Sequence, residues 1–142
     1  LDKNIGKCKI LKKRIAVLDR AIRCSHRIAL KAEIEAIRRA EEVAKLTLDC
    51  LKVSVPTEVP GITFLSGGQS EIQATENLNL INKYNNTNFI MSYSYGRALQ
   101  QSALKFWSKN IKDIEGTQKI FNHRAKMNTL AALGEWSEEL EN

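Results

Sequence analysis

Two segments fix most of what this 142-residue chain can become: Val59-Pro-Gly-Ile-Thr-Phe-Leu-Ser-Gly-Gly-Gln-Ser70 and Phe89-Ile-Met-Ser-Tyr-Ser-Tyr-Gly-Arg-Ala-Leu99. Each reads as a short apolar strand, then a glycine turn, then a helix. Ile62 to Leu65 lacks clear alternation, as a strand covered on both faces does, which points to a parallel sheet. Ser70 with Gln73 forms a capping box, so a helix is expected from there to about Tyr84. Leu78, Ile81 and Asn82 share one of its faces. Asn85-Asn-Thr-Asn88 is a turn cluster. Phe89 to Tyr95 then reads as the second strand and Arg97 to Trp107 as a helix. A last helix is expected from Asp113, its N-cap, to Leu133, with Gly134 as the C′ residue. The acidic tail beyond it reads as frayed. The order β-α-β-α describes a parallel βαβ unit. Two strands alone make no stable sheet. Phe64, Met91 and Tyr93, read as facing inward, therefore need a partner or the preceding helices to cover them.

Those preceding helices are basic. Residues 9–52 contain no Pro and no Gly. Leu11, Ile15, Leu18 and Ile22, then Leu30, Ile34 and Ile37, then Val43, Leu46 and Cys50 recur at helical intervals. With a break near Cys24 and Ser25 as a cap, two or three helices are expected, at about 8–24, 26–39 and 40–53, stopped by Pro56 and Pro60. The net charge of +6 is an average over two unlike parts. Residues 1–40 carry twelve Lys/Arg against four Asp/Glu, and residues 41–142 carry ten against twelve. A basic helix can meet nucleic acid or an acidic surface. Here no aromatic residues interleave with the charges and no reader motif is visible, so nucleic acid is not the expected partner. A solvated helix face, or sequence joined on by a gene rearrangement, accounts for the pattern equally.

Cys8, Cys24 and Cys50 are odd in number and widely spaced, and His26 and His123 lie far apart in sequence. Neither a disulfide framework nor a metal site is expected, and no cofactor is implied. No apolar run approaches the roughly 18 residues of a membrane span. The opening Leu1-Asp2-Lys3 has no Met and no apolar signal core. A cytoplasmic chain is the expectation, with its true start left open.

The chemistry lies in the two turns. A phosphate needs several converging donors. Backbone N–H groups at a glycine turn can approach an anion closely because no side chain intervenes. The helix that follows each turn adds orphan N–H groups and a positive dipole end. Ser66 offers a hydroxyl, and Arg97 a permanently charged, bidentate fork. Ser-Gly-Gly-Gln-Ser alone is a weak motif and reads first as a plain βα turn. The second turn, with its arginine, favours the phosphate reading. The pairing also matches the phosphate site that barrel enzymes build from the loops after strands 7 and 8.

At these residues the chain resembles the C-terminal part of class I fructose-bisphosphate aldolase. The resemblance rests on 59–70 as quoted, on Asn-Leu-Asn-Leu-Ile-Asn-Lys at 77–83, on Ser-Tyr-Gly-Arg-Ala-Leu-Gln-Gln-Ser-Ala-Leu-Lys at 94–105, and on Asn128 to Gly134. It extends more weakly back through Glu41-Glu-Val-Ala-Lys-Leu-Thr. It implies a partial (β/α)8 TIM barrel that retains the seventh and eighth βα units at 41–142, preceded by a basic helical segment, 1–40, outside the match. It implies a glycolytic lyase family that cleaves fructose 1,6-bisphosphate through a Schiff base. It also implies that Ser66, Gly67 and Gly68 bind a substrate phosphate from the first turn, with Ser94, Gly96 and Arg97 lining the same site from the second.

The family's Schiff-base lysine sits in a Leu-Leu-Lys-Pro-Asn context on the sixth strand. That motif does not precede Glu41. Ile10-Leu-Lys-Lys13 and Ala29-Leu-Lys31 both lack the Pro-Asn. The family's longer C-terminal tail and its terminal tyrosine are also missing here. A complete barrel takes about 250 residues. The expectation is a chain that holds a sugar phosphate but is inactive by itself, completed by a second copy or a complementing chain. The alternative is a non-enzymatic interaction module that uses the basic helices.

Overall fold

A computed structural model of the protein describes the backbone of residues 2–142, and the side chains of residues 22, 23, 26–32, 34, 35 and 39–142. Its elements are α1 (Asp2–Ser54), β1 (Gly61–Phe64), α2 (Glu71–Tyr84), β2 (Ile90–Tyr93), α3 (Arg97–Trp107) and α4 (Ile114–Leu133), followed by a 3-10 turn, Glu138–Glu141. The chain divides into two compact units, Leu1–Arg39 and Ala40–Asn142.

One helix, α1, replaces the two or three expected over 8–24, 26–39 and 40–53. A serine breaks a helix only where its side chain competes successfully for the backbone, and with no Pro or Gly between 9 and 52 nothing else interrupts the ladder. The side chains of Leu11, Ile15, Leu18, Ile37, Cys8, Cys24, Ser25, Lys12 and Lys13 lie outside the described residues. In the first unit the described apolar side chains Ile22, Ile28, Leu30 and Ile34 are all exposed.

The second unit holds the sheet. β1 and β2 pair in parallel, Gly61 opposite Ile90 and Phe64 opposite Tyr93. The pairing continues past both strand ends: the Ile90 N–H donates to the Pro60 carbonyl at 3.1 Å, and the Ser94 N–H to the Phe64 carbonyl at 2.8 Å. β2 is shorter than the expected 89–95, although Phe89 is buried.

Local chemistry explains the boundaries. Ser70 Oγ accepts from the Gln73 N–H at 3.2 Å, and Gln73 Oε1 accepts from the Ser70 N–H at 3.3 Å, which is the expected capping box. Asn85 closes α2 and feeds β2: its Nδ2 donates to the Phe89 carbonyl at 2.9 Å while its Oδ1 accepts from the Thr87 N–H at 3.0 Å. Asp113 Oδ1 accepts from the Gly116 N–H at 2.8 Å and starts α4. Gly134, at φ 74°, ends it with the Glu135 N–H reaching back to the Leu130 carbonyl at 2.9 Å. That left-handed residue is a glycine because no Cβ has to be placed there.

The sheet has one covered face. Met91 (1% exposed) packs with Ala44, Leu48, Ile81 and Phe89, flanked by Ile62 and Phe64. Tyr93 packs against Ala74, Tyr95 and Ala98. Phe64, Met91 and Tyr93 therefore turn toward helices, the first two covered in part by Ala44 and Leu48 of α1, one of the two arrangements expected. Alternation along a strand separates its two faces but does not say which of them meets helices. The open face is the other one, with Gly61, Thr63 and Ile90 exposed, Ile90 at 72%.

α4 packs on α2 and α3 through Met127, Asn128 and Ala131. The expectation of a frayed tail is corrected here. Glu141 takes a bidentate pair from Arg124, Nη1 at 2.9 Å and Nη2 at 2.7 Å, and a third bond from Trp136 Nε1 at 2.8 Å. The Trp136 N–H donates to Asn79 Oδ1 on α2 at 3.0 Å. A buried arginine without a counter-charge is costly, and here the acidic tail supplies one in Glu141.

Candidate functional site

The parallel register brings both glycine turns to the same end of the sheet, one after each strand. In the first, the Gln69 N–H donates to the Ser66 carbonyl at 3.0 Å, which closes a four-residue turn. Its central residues, Gly67 and Gly68, have φ of 59° and 86°. Positive φ at both central positions defines a mirror-image turn that glycine enters without steric cost. A Cβ at Gly67, Gly68 or Gly96 would meet no atom within 4 Å. The glycines are thus not demanded by packing, and the ground in front of them is open.

The second turn differs in how its helix begins. Gly96 is the N-cap of α3 and offers no side-chain cap. Its carbonyl accepts from the Leu99 and Gln100 N–H groups at 3.1 and 3.2 Å. The N–H groups of Gly96, Arg97 and Ala98 have no backbone acceptor. In α2 the same positions are partly occupied by the capping box. The capping box takes the Ser70 and Gln73 N–H groups, while those of Glu71 and Ile72 have no backbone acceptor, so both helices keep open N–H groups at their start and α3 keeps more of them.

The six predicted residues divide by exposure. Ser66 is half-buried, and Gly67, Gly68, Ser94, Gly96 and Arg97 are exposed. Arg97 makes no ion pair or hydrogen bond with the described residues, so its guanidinium is free to meet an anion. Cavities of about 230 and 370 Å³ lie elsewhere, and one of about 150 Å³ abuts the turns through Leu65, Gln69 and Tyr95, but none is lined by any of the six. The site is a shelf at the strand ends.

Two further residues, which sequence reasoning passed over, hold the shelf. The Tyr95 hydroxyl donates to the Ala74 carbonyl in α2 at 2.7 Å. Burial, with the nearby Tyr93 adding to it, pushes the Tyr95 phenol up to about 12. Glu71, in the first turn of α2, accepts from the Ser102 N–H of α3 at 2.9 Å and from the Ser102 hydroxyl. The signal was available: Tyr95 lies inside the second turn, and Glu71 directly follows the cap of the first.

Among the described residues no group of His, Cys, Asp or Glu could hold a metal ion. No helix among them is long and apolar enough to cross a membrane. Lys31, one of the alternative lysines, is exposed on α1.

With this geometry in place, comparison with known proteins gives the family. The family model for class-I fructose-bisphosphate aldolase, described as glycolytic, matches residues 7–142, and so takes in most of the basic segment. A probable class 1 fructose-bisphosphate aldolase of Xylella fastidiosa is 50% identical over 97 residues, 68% of this chain and 29% of its own. The fructose-bisphosphate aldolase of Dictyostelium discoideum is 44% identical over 100 residues, 70% of this chain and 28% of its own. Chloroplastic fructose-bisphosphate aldolase 3 of Arabidopsis thaliana is 53% identical over 102 residues, 72% of this chain and 26% of its own. A solved structure of Plasmodium falciparum aldolase, in complex with TRAP and a small-molecule inhibitor, superposes with a TM-score of 0.66 at 39% identity, over 69% of this chain and 28% of that one. The chain belongs to the class-I fructose-bisphosphate aldolase family. It spans 26–29% of the length of these curated relatives.

Proposed function

We propose that the two glycine turns hold one phosphate of a sugar bisphosphate, fructose 1,6-bisphosphate or its triose product dihydroxyacetone phosphate. In this reading Gly67 and Gly68 offer N–H groups from the first turn and Ser66 its hydroxyl. Gly96 and the open end of α3 offer N–H groups from the second, Ser94 a hydroxyl, and Arg97 a two-pronged, charge-assisted contact. The observation that carries the reading is the pairing of Arg97, without a partner among the described residues, with an uncapped helix start beside an open double-glycine turn.

The sheet supports placing 41–142 as the seventh and eighth βα units of a (β/α)8 barrel, with 1–40 as a separate basic segment. Its strands are parallel, the face toward the helices is packed, and the opposite face, with Thr63 and Ile90, is bare. Further strands would pair at the open edges and cover that face. Within the 142 residues no lysine lies in the Schiff-base context, so this chain alone binds the sugar phosphate without cleaving it. Work in the cytoplasm, and completion by a second copy or by a complementing chain, belong to the same proposal.

The test is equilibrium binding of fructose 1,6-bisphosphate to the 142-residue chain and to Arg97→Ala, with a cleavage assay on the same samples. Saturable binding that Arg97→Ala weakens, without turnover, is the expected result. Equal binding by the two proteins refutes the site. Turnover that borohydride traps on a lysine refutes the inactivity.

A second reading, an interaction role for the basic segment, is favoured by the exposed Ile22, Ile28, Leu30 and Ile34 on α1. Sedimentation at low and high salt checks it: association that resists salt supports an apolar interface, and a monomer throughout removes it.

A further inference from the structure

We propose that Tyr95 and Glu71 are positioning residues that lock the two phosphate turns to each other, so that donors from both converge on one anion. The inference rests on the phosphate reading above and adds the residues that make the site one site and not two.

The two turns have no direct tie across their tips. Beyond the Ser94 N–H bond to Phe64, each turn is followed by its own helix, and it is the helices that are joined. α2 starts three residues after Gly68, so its first turn carries the first glycine turn with it. Tyr95 stands between Ser94 and Gly96 in the second turn, with its ring buried (8% exposed) and its hydroxyl bonded to the Ala74 carbonyl in that first turn of α2. Glu71 lies one helical turn before Ala74 on the same face. Its carboxylate takes both the N–H and the hydroxyl of Ser102, which lies on α3 five residues beyond Arg97. The second turn and its helix are thus pinned to the first turn's helix at two points, one on each side of Gly96 and Arg97.

The Tyr95 ring packs in the second core cluster with Ala74 and Ala98, so the variant that tests the tie keeps the ring and removes only the hydroxyl. The Ala74 carbonyl keeps its place in the ladder of α2 when the tyrosine hydroxyl is removed. What the ties set is spacing. A bidentate arginine and backbone donors that meet one anion lose strength steeply when misplaced by as little as about 1 Å.

Glu71 also permits a control that separates positioning from charge. A glutamine there can accept from the Ser102 N–H with its carbonyl and donate to the Ser102 hydroxyl with its amide. Glu71→Gln keeps the tie and removes the negative charge, whereas Glu71→Ala removes both.

The experiment titrates fructose 1,6-bisphosphate, with inorganic phosphate as the minimal probe, into the full chain and into Tyr95→Phe, Glu71→Ala, Glu71→Gln and Arg97→Ala. Thermal unfolding is recorded on each. The expected result is binding about threefold to tenfold weaker in Tyr95→Phe and in Glu71→Ala, with Glu71→Gln near the parent. Unchanged affinity in Glu71→Ala, or tighter binding in both Glu71 variants, overturns the positioning role, the second outcome assigning Glu71 a purely repulsive charge. If Tyr95→Phe does not fold, the Glu71 pair decides. Failure of the phosphate reading looks different: the parent chain does not bind, or Arg97→Ala binds as the parent does, and both proposals fall together.

Discussion

Replacing Glu141 with alanine tests how the C-terminal segment is held. The Glu141 carboxylate receives two bonds from Arg124, at 2.9 and 2.7 Å, and one from Trp136 at 2.8 Å. The two charged side chains are 7% and 13% exposed. Without the carboxylate, Arg124 keeps one bond, from Nη2 to Thr75 Oγ1 at 3.0 Å, and its charge is otherwise uncompensated. Breaking a buried pair from one side costs about 3–5 kcal/mol. Here the short turn 138–141 can lift and admit water, which limits the loss, so about 2–3 kcal/mol is expected for Glu141→Ala. The reverse removal is milder. Arg124→Met leaves Glu141 free to swing into water and keeps an apolar stem in the site, so it costs about 1 kcal/mol. Urea unfolding of the two variants and of the double variant measures the asymmetry. Glu141→Ala within about 0.5 kcal/mol of the parent, or Arg124→Met the more damaging of the two, refutes the reasoning.

The same carboxylate gives a pH signature. Burial pushes the Glu141 carboxyl up, but the hydrogen bonds from Arg124 and Trp136, the charge of Arg124 and the His123 contact outweigh it, and the net shift is downward. A carboxyl lowered in the folded state binds fewer protons there than in the unfolded chain. Its contribution is complete above the ordinary value of 4.5 and fades as pH falls below it, so the stability gap between parent and Glu141→Ala closes in acid. At the alkaline end the sign reverses: Tyr95, raised to about 12, binds more protons folded than unfolded, so its contribution fades as pH rises from 10, and absorbance titration should show one phenol ionising last and with unfolding. Gly67→Ala should cost about 1–2 kcal/mol from positive φ alone, since its Cβ meets open space, whereas Gly96→Ala, at φ −89°, should leave the urea midpoint nearly unchanged. Met91→Ala should cost about 2–5 kcal/mol in the same assay, because Met91 sits at the centre of the packed sheet face.

What was legible in the sequence was what short-range chemistry decides. The Ser70–Gln73 box, the Asp113 cap and the Gly134 stop are each made within a few residues, and α2, α3 and α4 begin and end close to where those signals stand. Both strands were legible for the same reason, as apolar runs ended by turn residues. The unbroken α1 was not, because Ser25 can cap a helix or sit inside one, and its neighbours do not choose. That Phe64, Met91 and Tyr93 share a face needing cover was legible, but period two did not choose between a partner and the preceding helices, and Ala44 and Leu48 of α1 supply part of that cover. The docked tail was missed because Arg124 and Glu141 are seventeen residues apart, and composition reads only the charge of the segment. At the candidate site the six residues were legible as a set at one end of the sheet. Their supports, Tyr95 and Glu71, depend on α2 and α3 lying side by side.

The central claim is that residues from both turns meet one phosphate. The most direct measurement is a titration of the isotopically labelled chain with fructose 1,6-bisphosphate, read at the backbone amides. The account predicts that Gly67, Gly68, Gly96, Arg97 and Ala98 shift together along one saturable curve, and that Arg97→Ala flattens all of them. Shifts confined to one turn, or saturation that persists in Arg97→Ala, would contradict it.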